Sequence, residues 1–370
     1  MRTWAASPKG LRTPTYAAAL IAAVIYSGGP LHVSIADELK RLGLGAGDVA
    51  ALGRYLRVDG RAIDVLRPRL RSLRERAAYL VYLRRMIRRE DYNVAVVGAW
   101  KNGRLVEPPE FKINPLLYLL PFLFSIPPAL AVKHLGVQLA AGLSAIFISY
   151  FSLYFYLRGK CIRPDYVAVI KTRSNDVEYI RRHKEEVLKN PDALGEYEAY
   201  FFRGNICLTK DKAANALSYE IPFGKLVIAT TGLLAKLKPE ELEAALRHEE
   251  GHLKYHHMYK LLLFMMAEYT LRVYLIDYVY ADISLFLIGL HLLGASLLYT
   301  SLLRFYEYEA DFYAASDALA RALLKIGWSD VVDQVLYPAY SKLQFLVKTH
   351  PNTLDRVLKI WSWSGTWRSR

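Results

Sequence analysis

Two histidines four residues apart, His248 and His252, lie in the stretch LKPEELEAALRHEEGHLKYHH, and this spacing constrains the fold more than any other feature. On a helix the two rings share one face, one turn or ~6 Å of rise apart, so both can reach one small metal ion. Glu249, beside the first of them, is placed to take a proton from an attacking water. HExxH on a helix is a zinc-peptidase signature with that chemistry behind it. The competing explanation is a charged helix that carries these five residues by chance.

A catalytic zinc takes three protein ligands and keeps a fourth position for water. His256 continues the four-residue spacing, but it lies ~12 Å along the axis from His248 at ~1.5 Å per residue. With Zn–N bonds near ~2 Å, a regular helix cannot bring all three rings to one ion. His257 points elsewhere on the same helix. A better candidate stands in Phe305-Tyr306-Glu307-Tyr308-Glu309-Ala310-Asp311. Glu307 and Asp311 share a helix face. Glu307 can supply a carboxylate oxygen, and Asp311 can accept a hydrogen bond from the free ring nitrogen of a ligand histidine. Glu309 is off that face and is expected to face solvent.

Between these motifs, and before them, the apolar residues come in blocks. The hydrophobic fraction is 53% and mean hydropathy +0.11, high for a soluble chain. Residues 115–132, 135–157, 261–281 and 283–303 are each long enough to be read as a membrane span. The third contains Glu268, Arg272 and Asp277. Charges inside a span are costly, so Glu268 and Arg272 either neutralise each other or line a polar cavity. Net charge is +14, and residues 1–113 hold 20 Lys/Arg against 10 Asp/Glu. With the basic flank at Arg158, Lys160 and Arg163, this places the N-terminus, the catalytic site and the C-terminus in the cytoplasm of a multi-pass protein of the cell membrane. Cys161 and Cys207 follow no metal-ligand or disulfide spacing and read as free thiols.

Five regions follow. Residues 1–113 form a basic, mostly helical, cytoplasmic region. Within it 15–27 is apolar but short for a span, IADELKRLGLGAGDVAALGRYL resembles a helix-turn-helix, and 61–89 reads as a long basic helix. Lys101-Asn102-Gly103-Arg104 is a hairpin turn that could make a wing. The presumed reading helix offers Arg54 as its single basic residue, so DNA reading is the lesser use of residues 30–60. Residues 114–158 are a transmembrane hairpin, 159–259 the catalytic part with HExxH, and 260–303 a second hairpin. Residues 304–370 complete the site and form the tail. Strands are expected at 166–170 and within 217–230, a charged helix over 176–188, and Pro239 at the start of the histidine helix.

Four blocks in order resemble the HtpX-type integral-membrane zinc metallopeptidases, a family related to the CAAX prenyl proteases. They are Asn215-Ala216-Leu217, then Thr230-Thr231-Gly232-Leu233-Leu234 followed by HEEGH, then Glu307-Tyr308-Glu309-Ala310-Asp311, and Thr349-His350-Pro351 with Asp355-Arg356. The resemblance covers about residues 205–360. It implies a mainly α, integral-membrane protein with about four transmembrane helices and a cytoplasmic zincin-like α+β catalytic domain. It also implies one Zn2+ per subunit on His248, His252 and Glu307, with Glu249 as general base. Asn215, His350 and Arg356 become candidates on the substrate side. Asn215 can equally make a turn, and Arg356 can simply pair with a carboxylate. The implied partners are protein or peptide substrates, membrane proteins among them, and the lipid bilayer. A CAAX-type processing protease, a membrane-tethered regulator with a DNA- or partner-binding N-terminus, and a non-catalytic metal scaffold are the alternatives. Glu250 departs from the family, which has an apolar residue there, and the first 113 residues have no counterpart in it.

Overall fold

In the computed structural model the described residues are 94–113, 134–174, 176–194, 197–202, 206–278, 285–337 and 350–364, with Arg76, Leu80, Leu83 and Ile87 before them. They fall into two compact units, one within Tyr92–Ala314 and Val347–His350, the other including Ala315–Leu346 and Pro351–Arg370. The expectations for 15–27, for the helix-turn-helix-like run and for the span at 115–132 lie outside the described residues.

Among the described residues the first unit holds two sheets. Strand β1 (Val94–Lys101) reverses through Asn102 and Gly103, at φ 53° and 72°, into β2 (Arg104–Val106). Two left-handed residues in a two-residue loop suit the twist of a hairpin. After helix α1 (Leu135–Gly159), β3 (Tyr166–Thr172) pairs antiparallel with β1, and β4 (Tyr197–Phe202) pairs with β3, in the order β2-β1-β3-β4. The expected hairpin turn is therefore present, but it belongs to this sheet and not to a wing. Where one charged helix was expected over 176–188 there are two, α2 (Val177–Arg182) and α3 (Lys184–Lys189), divided at His183.

The second sheet carries β5 (Cys207–Thr209), β6 (Ala216–Ile221) and β7 (Gly224–Thr230) in the order β5-β7-β6, which leaves β6 at an edge. Cys161 and Cys207 are not free: they form a disulfide, their Cα atoms 5.3 Å apart, beside the antiparallel bridge between Ile162 and Leu208. Spacing along the chain could not show this pair, because it is made by the sheet. Four helices follow: α4 (Thr231–Lys236), α5 (Pro239–Lys254), α6 (His257–Tyr278) and α7 (Leu285–Tyr313).

Helix α1 packs on the sheet through tyrosines. The Tyr150 hydroxyl donates to the Glu220 carbonyl, and Tyr219 Oη donates back to the Tyr150 carbonyl at 3.0 Å. Gly142 lets α6 approach α1: a Cβ there would lie 1.9 Å from the Tyr269 ring, whose hydroxyl donates to the Gln138 carbonyl at 2.8 Å. The outer faces of α1, α6 and α7 expose Ile148, Phe155, Leu263, Tyr274, Phe286 and Leu293. Among the described residues one helix, α1, is long and apolar enough to cross a bilayer.

The charges on α6 neutralise each other. Arg272 Nε lies 3.3 Å and His291 Nε2 of α7 lies 3.4 Å from the same oxygen of Glu268, and the Glu268 and Arg272 side chains are both 5% exposed. Removing one partner of a buried pair leaves the other charge uncompensated. Glu268→Ala is expected to destabilise the protein by ~3–5 kcal/mol, read as a lowered Tm in detergent; an unchanged Tm would show that Arg272 is held by other groups.

In the second unit α8 (Asp317–Ile326), α9 (Trp328–Leu336) and α10 (Thr353–Ser364) pack around Leu319, Val331, Val357 and Trp361. Trp361 Nε1 donates to Asp317 Oδ1 at 3.0 Å, and Arg76 donates to the Leu336 carbonyl at 3.0 Å. Leu80 and Leu83 are fully buried and helical.

Candidate metal centre

Thr230 ends β7 and caps α4, accepting a hydrogen bond from Leu233 N at 3.1 Å. Pro239 opens α5 with its fixed φ, and Glu241 accepts from Lys238 N at 3.0 Å, so the helix start is held firmly. One face of α5 then buries Leu242, Ala245, Leu246, His248 and Gly251. Helix α7 crosses that face closely. A Cβ on Gly251 would lie 3.1 Å from the Ala310 Cα, so the small residues inside the two motifs are what let the helices approach.

The crossing brings the ligand atoms together. His248 Nε2 is 3.3 Å from His252 Nε2 and 3.6 Å from Glu307 Oε2, and His252 Nε2 is 3.5 Å from Glu307 Oε1. Donor atoms bound ~2.0–2.1 Å from a tetrahedral ion stand ~3.3 Å apart, so the three residues fit a metal. They are also the single group of this kind among the described residues. Behind them His248 Nδ1 lies 3.0 Å from Asp311 Oδ1, whose side chain is fully buried. Burial alone would lower the His248 pKa, but the neighbouring carboxylates of Asp311 and Glu307 outweigh it and raise it to about 10. Two carboxylates thus favour positive charge at the point where the imidazoles converge.

His350 places Nδ1 3.1 Å from Glu307 Oε1 while its side chain stays 55% exposed. Glu249 is half-buried and Glu250 exposed, so the extra carboxylate of the motif points away from the centre. Asn215 stands at the start of β6, where its side-chain oxygen accepts from Ala216 N at 2.9 Å and its own N–H donates to Thr230 Oγ1 at 3.0 Å. Arg356 is buried on α10 in the other unit.

Two residues escaped the sequence. Helix α5 ends at Lys254, His256 takes φ 55°, and α6 starts at His257, which turns that ring inward instead of leaving it elsewhere on one continuous helix. His257 Nδ1 comes to 2.8 Å from His252 Nδ1, and its Nε2 to 3.1 Å from Glu309 Oε2. Burial is the main cause that pushes the His257 pKa down, to about 3, so the ring is neutral. Glu309 is therefore partnered, not simply solvent-facing. The one available signal was the tyrosine and two histidines closing the motif, Tyr255-His256-His257, where a helix that must break has no glycine to do it.

Two imidazoles and a carboxylate on crossing helices, with a glutamate next to the first histidine, are the residue set that an HExxH metal site requires. Residues 187–364 match the model of peptidase family M48. No curated protein matches the chain. A solved structure of Ste24p from S. mikatae is similar at 17% sequence identity and a TM-score of 0.41, covering 66% of this chain. The matched part is 61% of that protein, so the chain spans about three fifths of its length.

Proposed function

We propose that the protein is a membrane-bound zinc metalloendopeptidase of the HtpX type that hydrolyses peptide bonds of membrane or misfolded proteins. The observation that carries this reading is the convergence of His248, His252 and Glu307 within bonding range of one ion, with Glu249 alongside. Zinc bound there would acidify a water and polarise the scissile carbonyl. Glu249 accepts the proton of the attacking water and returns it to the leaving amine. Asp311 holds the ring of His248 in place from behind. Strand β6, at the end of its sheet among the described residues, is where an extended substrate would add as a strand. His350, with Nδ1 3.1 Å from Glu307 Oε1, and Asn215 are the substrate-side residues of this reading.

The exposed apolar faces of α1, α6 and α7 support a multi-pass protein of the cell membrane, in the five regions given above. Basic residues after α1 support a cytoplasmic catalytic site. The Cys161–Cys207 disulfide on that same side then requires a cytoplasm that tolerates disulfides, as in hyperthermophiles. Detergent-purified protein is expected to cleave casein or an unfolded membrane protein, to stop with a chelator and to resume with added zinc. Zinc-loaded protein that cleaves neither substrate would overturn the proposal.

A further inference from the structure

The two histidine ligands are supported differently. His248 rests directly on the buried carboxylate of Asp311, whereas His252 rests on a second imidazole, 2.8 Å away between Nδ1 atoms. That second ring is there because the chain breaks at a single residue. On one continuous helix residue 257 would lie ~140° round the axis from residue 252. At φ 55°, His256 adopts a left-handed conformation that residues with a Cβ seldom take, and α6 begins at once behind it. The ring of His256 is tied down, its Nδ1 3.1 Å from Glu220 Oε2, a buried carboxylate on β6.

His257 is then gripped on several sides. Its ring is 2% exposed and stacks on Tyr306 of α7 with centroids 4.5 Å apart. Its Nε2 lies 3.1 Å from Glu309 Oε2, an oxygen that also lies 3.6 Å from Lys260 Nζ. One placement of protons satisfies each contact. His252 turns Nε2 toward His248 and Glu307, so that nitrogen must offer its lone pair and the proton must sit on Nδ1. Nδ1–H of His252 donates to His257 Nδ1, and Nε2–H of His257 donates to Glu309.

We propose that His257 and Glu309 are positioning residues of the metal centre, a chain that fixes the tautomer and the orientation of His252 as Asp311 does for His248. The proposal rests on the metal-centre reading above. It makes the two histidine ligands unequal: one is backed by a sealed carboxylate, the other by an imidazole whose carboxylate reaches the surface, its side chain 30% exposed. Loss of such a supporting partner costs roughly 10–100-fold in metal affinity.

The test uses the full chain in detergent, with zinc affinity measured by chelator competition and the ligand field read from the visible spectrum of the Co(II)-loaded protein. His257→Ala is expected to weaken zinc by about 10–100-fold and to shift the Co(II) bands. Glu309→Ala is expected to do the same more weakly, and Glu309→Gln, which keeps an oxygen acceptor, to restore most of the affinity. Should His257→Ala not fold, the Glu309 pair decides alone, because that side chain is partly exposed and tolerates truncation. Unchanged affinity and an unchanged Co(II) spectrum in the alanine variants would overturn the proposal. Failure of the wild-type chain to bind zinc would instead overturn the metal-centre reading and this one with it.

Discussion

Glu249→Gln is expected to lower peptide hydrolysis by at least ~10²–10⁴-fold, the range supplied by general acid–base catalysis, while the protein keeps its zinc. The substitution preserves shape and removes the one property the reaction needs, a carboxylate able to take a proton. Glu249 is half-buried on α5 and is not among the residues that converge as ligands, so the metal set stays whole. Two measurements on one preparation check this: hydrolysis of a quenched peptide or casein, and metal content per chain. Retained hydrolysis would remove Glu249 as the base, and loss of zinc would make it a ligand.

Glu307→Ala is expected to have the largest effect on the metal itself. Glu307 is the one ligand delivered by α7, and its oxygens lie 3.6 Å and 3.5 Å from the Nε2 atoms of His248 and His252. Losing a direct ligand should cost more than the ~10–100-fold attached to a supporting partner, so zinc should dissociate at chelator concentrations the wild type resists. Hydrolysis should fall with it. The same substitution takes away one of the two carboxylates that favour a positive charge on His248 and leaves Asp311 as the remaining one. Zinc binding equal to wild type would show that another residue, His350 being the nearest candidate, completes the set.

The candidate metal site was legible because its logic is local. His248 and His252 share a helix face through a spacing that any α-helix imposes, and Glu307 and Asp311 do the same on α7. The strands at 166–170 and 217–230 and the start of α5 at Pro239 follow from equally short patterns. Helix α7 runs without interruption from an apolar segment into the Glu307–Asp311 motif, so the four-residue spacing of that pair does fall on a helix.

Longer-range features were not legible. The Cys161–Cys207 disulfide joins residues 46 apart, brought together by the pairing of Ile162 with Leu208, and nothing in the spacing of two cysteines reports a sheet. Glu268 and Arg272 were visible as a pair, but the sequence left open whether they lined a cavity. His291 on the neighbouring helix settled that, since it comes to the same carboxylate oxygen.

By itself the sequence determined which atoms could bind a metal: HEEGH on one helix, Glu307 and Asp311 on another, each set by a four-residue repeat. Only the tertiary structure decided how those helices meet and what stands behind the ligands. Gly251 and Ala310 allow the close crossing, and the break at His256 turns His257 onto His252. The physical reason is one of range. Helical periodicity acts over one or two turns, whereas a backbone break and a helix crossing are chosen by packing against β6 and α7, residues far away along the chain.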